Sequence, residues 1–192
     1  MPEQQAESAW RAQTFAVARA QRPRVVVKAD LLPAVSVVSF VGLLGIPLGL
    51  LWAVLAPPQR ERVVRAGAEP VPLQLESWHR FDDLAIFLLI GLATGILVGV
   101  AVWLLRERRG PVVLIAAALG SLLSAWLAMR LGLAFAESRY AIDSPPALGD
   151  VVERAPRLES AWALVAQPFT TVLAYGFLAT WNSRDDLGRR LG

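Results

Sequence analysis

Residues 85–105, AIFLLIGLATGILVGVAVWLL, contain no charged side chain across twenty-one positions. Wound as an α-helix, such a run reaches roughly 32 Å, the thickness of a bilayer's hydrocarbon core. It closes on Arg106, Glu107, Arg108 and Arg109, as a membrane span closes at the headgroup region. Gly91, Gly95 and Gly99 recur every fourth residue and so share one helix face, flat enough for a second helix to lie close. A water-soluble fold would spread its apolar residues with a period of two or 3.6. Here they gather into four blocks separated by charged segments, which predicts a single four-span membrane domain.

The first block predicts a span over about 31–56. Asp30 is placed to cap its start, and Pro33 falls in the first turn, where a missing N–H does no harm. Pro47 lies mid-span and leaves the Leu43 carbonyl without its usual helical partner, so a kink is expected there. Gly45, Gly49 and Ala53 form another small-residue row, and Pro57 and Pro58 end the helix. The second span is 85–105. A short link over 106–111 makes spans two and three an antiparallel hairpin, with Pro111 as the first residue of the third helix. The third span, about 112–135, carries Ala116, Gly120, Ser124, Ala128 and Gly132 at four-residue spacing. This row is expected to pack on Gly91, Gly95 and Gly99. The fourth span is about 161–181, with Gln167 and Pro168 in its first half. Pro168 frees the carbonyl of Leu164.

Two longer loops, 57–84 and 136–160, join these spans. In the first, two short strands are predicted at roughly 62–65 and 71–75, with Gly67 and Pro70 in the turn between them. A bare hairpin is marginal in water, and 151–154 offers a strand to support it. The predicted class is therefore all-α transmembrane, a four-helix bundle with a small extracytoplasmic β-hairpin cap. Residues 1–30 form either a surface helix presenting Trp10, Thr14, Val17 and Ala18 or a disordered tail. They show no removable signal peptide. Residues 182–192 are a short polar tail; Asp185 and Asp186 with their flanking arginines suit either docking or plain solvation.

Charge sets the expected orientation. The N-terminal segment, the link and the tail hold eleven of the nineteen basic residues, and the longer loops with Arg130 hold eight. Acidic residues divide six to ten in the opposite sense. The positive-inside rule then places both termini in the cytoplasm and both loops outside. With the basic residues flanking spans, the net charge of +3 reads as topology rather than as affinity for nucleic acid.

The short strings at 51–58 (LWAVLAPP), 109–111 (RGP) and 184–188 (RDDLG), with the order of spans and loops, resemble an actinobacterial family of four-span membrane proteins known only as a domain of unknown function. The likeness covers roughly 31–188. It implies an actinobacterial plasma membrane and transfers no catalytic or binding residue.

Candidate chemistry is sparse. With no cysteine and one histidine, thiolate sites, disulfides and multi-histidine metal or haem sites are excluded within one chain. No carboxylate lies inside a predicted span, and no phosphate loop, zinc-protease motif or nucleophile elbow is present. Ser36, Ser39, Ser121 and Ser124 lack an intramembrane base to activate them. His79, Asp82 and Asp83 read as the polar approach to the second span. Arg130 interrupts the third span near its end and is expected to reach the interface with its long side chain; the sharper alternative is an ion-pathway residue. The expectation is a non-catalytic plasma-membrane protein with no cofactor, in contact with the lipid bilayer and with either another membrane protein or a second copy. Its small-residue faces and outer loops would make that contact. The alternative is a small transporter or channel component with a polar break formed by Gln167 and Pro168, with Arg130 as a further intramembrane polar group.

Overall fold

The computed structural model describes residues 27–63, 71–72, 76–105, 110–141 and 147–181, with side chains from residue 31 onward except at 71–72 and 76–80. The expectations for Trp10, for 106–109 and for Asp185 and Asp186 lie outside these residues, as does the side chain of His79.

Four helical spans are long and apolar enough to cross a membrane. Span 1 is α1 (Val27–Leu43) followed by α2 (Gly45–Leu55). The break falls at Leu44, whose N–H turns to Val41 at 3.2 Å. This lies one turn before Pro47, where a missing N–H had predicted a kink. The start of the span differs from expectation. The helix is already formed at Val27, so Asp30 does not cap it and Pro33 lies inside it. Only one backbone bond is lost to Pro33, close to the helix end, and the helix therefore runs through it. Ala56 ends the span in extended backbone, its N–H bonded to Trp52, and the two prolines follow.

Span 2 is α3 (Glu76–Leu104) and span 3 is α4 (Pro111–Arg139), each 29 residues. Both reach about 43 Å, well beyond a hydrocarbon core of about 30 Å, so each continues as a helix outside the apolar layer. Pro111 does occupy the first turn of α4. Span 4 opens as a 3₁₀ helix, Ala161–Val165, and becomes α5 (Ala166–Trp181). The tighter turn sits where Pro168 withdraws the N–H that an α-helix would offer to Leu164.

Two core clusters mark the two ends. One gathers Val41, Val98, Val102, Trp103, Val113, Ala117 and Tyr175, and it lies at the end that holds the last residues of span 2, the first of span 3 and the last of span 4. The other gathers Trp52, Ala53, Ala56, Phe87, Ala128, Ala136 and Ala163 at the capped end. The spans therefore run up, down, up and down.

Over the capped end lies a three-stranded antiparallel sheet in the order β2–β1–β3, with β1 Gln59–Arg62, β2 Val71–Pro72 and β3 Val151–Arg154. The third strand is where the sequence placed it. The first begins three residues earlier than expected. Its inward positions are Gln59 and Glu61 rather than apolar residues, so hydrophobic alternation carried no signal for it. Glu61 is held by Arg154 at 2.9 Å, and Arg60 pairs with Glu153 at 3.3 Å on the exposed face.

Candidate functional site

The glycine rows set the packing. Span 1 lies on span 3: a Cβ on Gly45 would strike the Ser124 carbonyl oxygen, and one on Gly49 would meet the Ala128 oxygen at 2.6 Å and the Gly132 nitrogen at 3.0 Å. Gly120 faces Val38 and Val41, and Gly132 faces the Trp52 ring. Span 2 lies on span 4: Gly95 abuts Gln167 and Thr170, and Gly99 abuts Thr171 and Ala174. In both pairs the residue numbers rise together, so the closest partners are parallel.

This overturns the expected pairing of Gly91, Gly95 and Gly99 with the row of Gly120, Ser124, Ala128 and Gly132. A short link fixes only the ends of spans 2 and 3, which touch sparingly. Close approach needs two faces that both lack side-chain bulk. Span 3 finds that face in Gly45 and Gly49. Span 2 finds a face of Thr and Ala on span 4.

Between the pairs runs a buried polar seam. Ser121 Oγ and Thr171 Oγ1 are 2.9 Å apart, and Thr171 also donates to the Gln167 carbonyl at 2.9 Å. Counting from Pro111, Ser121 lies about 15 Å along its helix, near mid-bilayer. Thr170 donates to Ala166 and Gln167. Toward the capped end stands Gln167, fully buried, with its Nε2 lacking a hydrogen-bond partner. Ser124 Oγ is buried in the same way. An unsatisfied buried donor costs about 1–3 kcal/mol. Gln167 lines a cavity of about 10 Å³ with Leu48, Phe87, Ile90, Gly91, Ala125, Ala128 and Ala163, so all four spans contribute to its wall.

Arg130 does not join Gln167 and Pro168. It is exposed on the outside of the bundle, its guanidinium 5.9 Å from the centre of the Trp126 ring one turn earlier. A 30 Å layer measured from Pro111 ends about 20 residues on, next to Arg130. An apolar ring and a cation thus share one helix face, the arrangement that suits a membrane interface.

Asp83 is the residue that the sequence reading missed. It is fully buried, not part of a solvated helix end. Its Oδ2 accepts the Arg157 N–H at 3.3 Å and faces the Gln59 amide at 3.5 Å, while its backbone carbonyl accepts the Trp52 indole N–H at 2.9 Å. One residue thus ties together span 1, span 2, β1 and the segment after β3. A signal was present. Continuing the row of Gly99, Gly95 and Gly91 backward by fours reaches Phe87 and then Asp83, and all five are buried.

At the link end an apolar groove of about 620 Å³ opens between spans 1 and 2, lined by residues that include Leu32, Ser36, Phe40, Ala101 and Leu105. Ser36 is spent on its own helix, donating to Leu32. Among the described residues no group of three His, Cys, Asp or Glu is arranged to hold a metal ion.

The uncharacterized protein ML1222 of Mycobacterium leprae (strain TN) is 35% identical over 166 residues, covering 77% of this chain and 83% of that protein. The uncharacterized protein Rv1591 of Mycobacterium tuberculosis (strain ATCC 25618 / H37Rv) is 32% identical over 163 residues, covering 75% of this chain and 84% of the relative. The uncharacterized protein Mb1617 of Mycobacterium bovis (strain ATCC BAA-935 / AF2122/97) shares the same 32% over the same length. No solved structure matches the chain. The model of the family described as "Protein of unknown function (DUF2567)" matches residues 41–189. With most of its length inside that match and mycobacterial relatives over three quarters of it, the chain belongs to the DUF2567 family.

Proposed function

We propose that this protein is a non-catalytic component of the plasma membrane, an accessory or scaffolding subunit that engages another membrane or envelope protein through its cap. Both termini face the cytoplasm in this reading and the sheet faces outward. The carrying observation is the Asp83 junction, which holds a small charged sheet in one attitude on the bundle. Anchoring so small a sheet through a buried carboxylate has a purpose if the sheet is a contact surface. The glycine faces are occupied by the chain's own helices, which supports the cap rather than the spans as the contact in this reading; Arg60, Arg62 and Glu153 are exposed there.

The test is a photo-crosslinking amino acid at Arg60 in native membranes, with Leu97 on the exposed helix surface as control. A discrete adduct from position 60 but not from 97 is the expected result. Absence of any adduct from the cap overturns the reading. An alkaline phosphatase fused after Gly192 should be inactive; an active fusion reverses the orientation.

A second reading, a small transporter or channel component built around Gln167 and Pro168, is favoured by the buried amide that faces a cavity walled by all four spans. Ligand pockets usually measure about 300–1,000 Å³, so transport would require a second, wider conformation.

A further inference from the structure

We infer that Gln167 binds a single water molecule at the point where the four spans meet. Three observations carry this. The Gln167 side chain is 1% exposed and its Nε2 has no protein partner. It borders a cavity of about 10 Å³, the lower limit for one water and too small for a solute. Two further polar groups belong to residues next in sequence to the lining residues Ala125 and Ala163. Pro168 leaves the Leu164 carbonyl without its α-helical N–H on the same turn as Gln167, and the Ser124 hydroxyl is a second buried group without a partner. Ser124 lies one turn from Ser121 and Gln167 one turn from Thr171, on the same side of the 2.9 Å Ser121–Thr171 contact. A buried water makes two to four hydrogen bonds to groups of this kind. Bound here, it satisfies the amide that the helix crossing leaves over, and it extends the polar seam from mid-bilayer toward the capped end.

The cavity wall contains a reporter. Phe87 lines it and is buried, so bulk solvent does not reach its ring. X-ray radiolysis splits water where it is bound, and the hydroxyl radical oxidises adjoining side chains. In the full-length protein in lipid nanodiscs, Phe87 is expected to be hydroxylated severalfold faster than in Gln167→Leu, which removes the amide. Ala163→Val narrows the cavity from one turn earlier on the same span with Gln167 intact and should suppress the same oxidation, so the inference survives a failure of the first variant to fold. Unlabelled Phe87 in the wild type overturns the inference. Equal labelling in wild type and both variants overturns it as well, because the radical would then come from bulk water.

Discussion

Gly95→Ala adds one carbon where spans 2 and 4 have no room. The new Cβ would press on the Gln167 carbonyl oxygen and on Thr170 Oγ1, with Thr170 Cβ 3.1 Å away. Carbon settles about 3.3–3.6 Å from a carbonyl oxygen, so the two helices must part by about 1 Å. A gap of that size forfeits a quarter to a half of the dispersion well along the contact. Overpacking of this kind costs about 1–3 kcal/mol, against which alanine's better helix propensity returns at most about 1 kcal/mol. Because the close atom is a backbone oxygen, which yields less than a flexible side chain, the cost falls in the upper part of that range, and the expected net loss is about 1–2 kcal/mol. One turn earlier the outcome reverses. A Cβ on Gly91 would meet Gln167 atoms at 3.7 Å and Ala166 at 3.8 Å, ordinary contact distances, so Gly91→Ala should be neutral or stabilising by up to about 1 kcal/mol. Reversible unfolding in mixed micelles, followed by helical circular dichroism, measures both. If the two variants are equally stable, or if Gly95→Ala is no weaker than the wild type, the parallel packing of spans 2 and 4 is refuted.

Three further outcomes follow from named contacts. Asp83→Ala should cost about 1–3 kcal/mol and open the cap to protease, whereas Asp82→Ala, at an exposed neighbour, should cost no more than the loss of a surface interaction, below about 1 kcal/mol; equal cleavage of the two would contradict the junction. Ser121→Ala removes one hydroxyl contact within the membrane and should cost about 0.6 kcal/mol in the same unfolding assay, with a loss several times larger pointing to a different seam. Gly176→Ala places a Cβ with nothing within 4 Å and should leave stability unchanged or raise it by up to about 1 kcal/mol; a clear loss would reveal a contact at that face.

Much of this architecture is legible in the sequence because a bilayer imposes a coarse requirement. An uncharged run must be about twenty residues long to cross it, and four such runs are written plainly in this chain. Pro47 and Pro168 announce the breaks at Leu44 and in Ala161–Val165, since each removes a backbone donor wherever it sits. Val151–Arg154 is visible as a short strand between turn residues. The tertiary structure alone decides which small-residue row meets which. Apolar side chains dominate both the covered and the outward sides of the spans, so hydrophobic periodicity does not label the face that will be covered, and the link of spans 2 and 3 constrains only their ends. It also decides that Asp83 is interior and Arg130 exterior. Those two charges look alike in one dimension, each near the end of a span. They separate only when the twist of the helix carries Asp83 onto the face of Phe87 and Gly91, beneath Gln59 and Arg157, and carries Arg130 outward over Trp126.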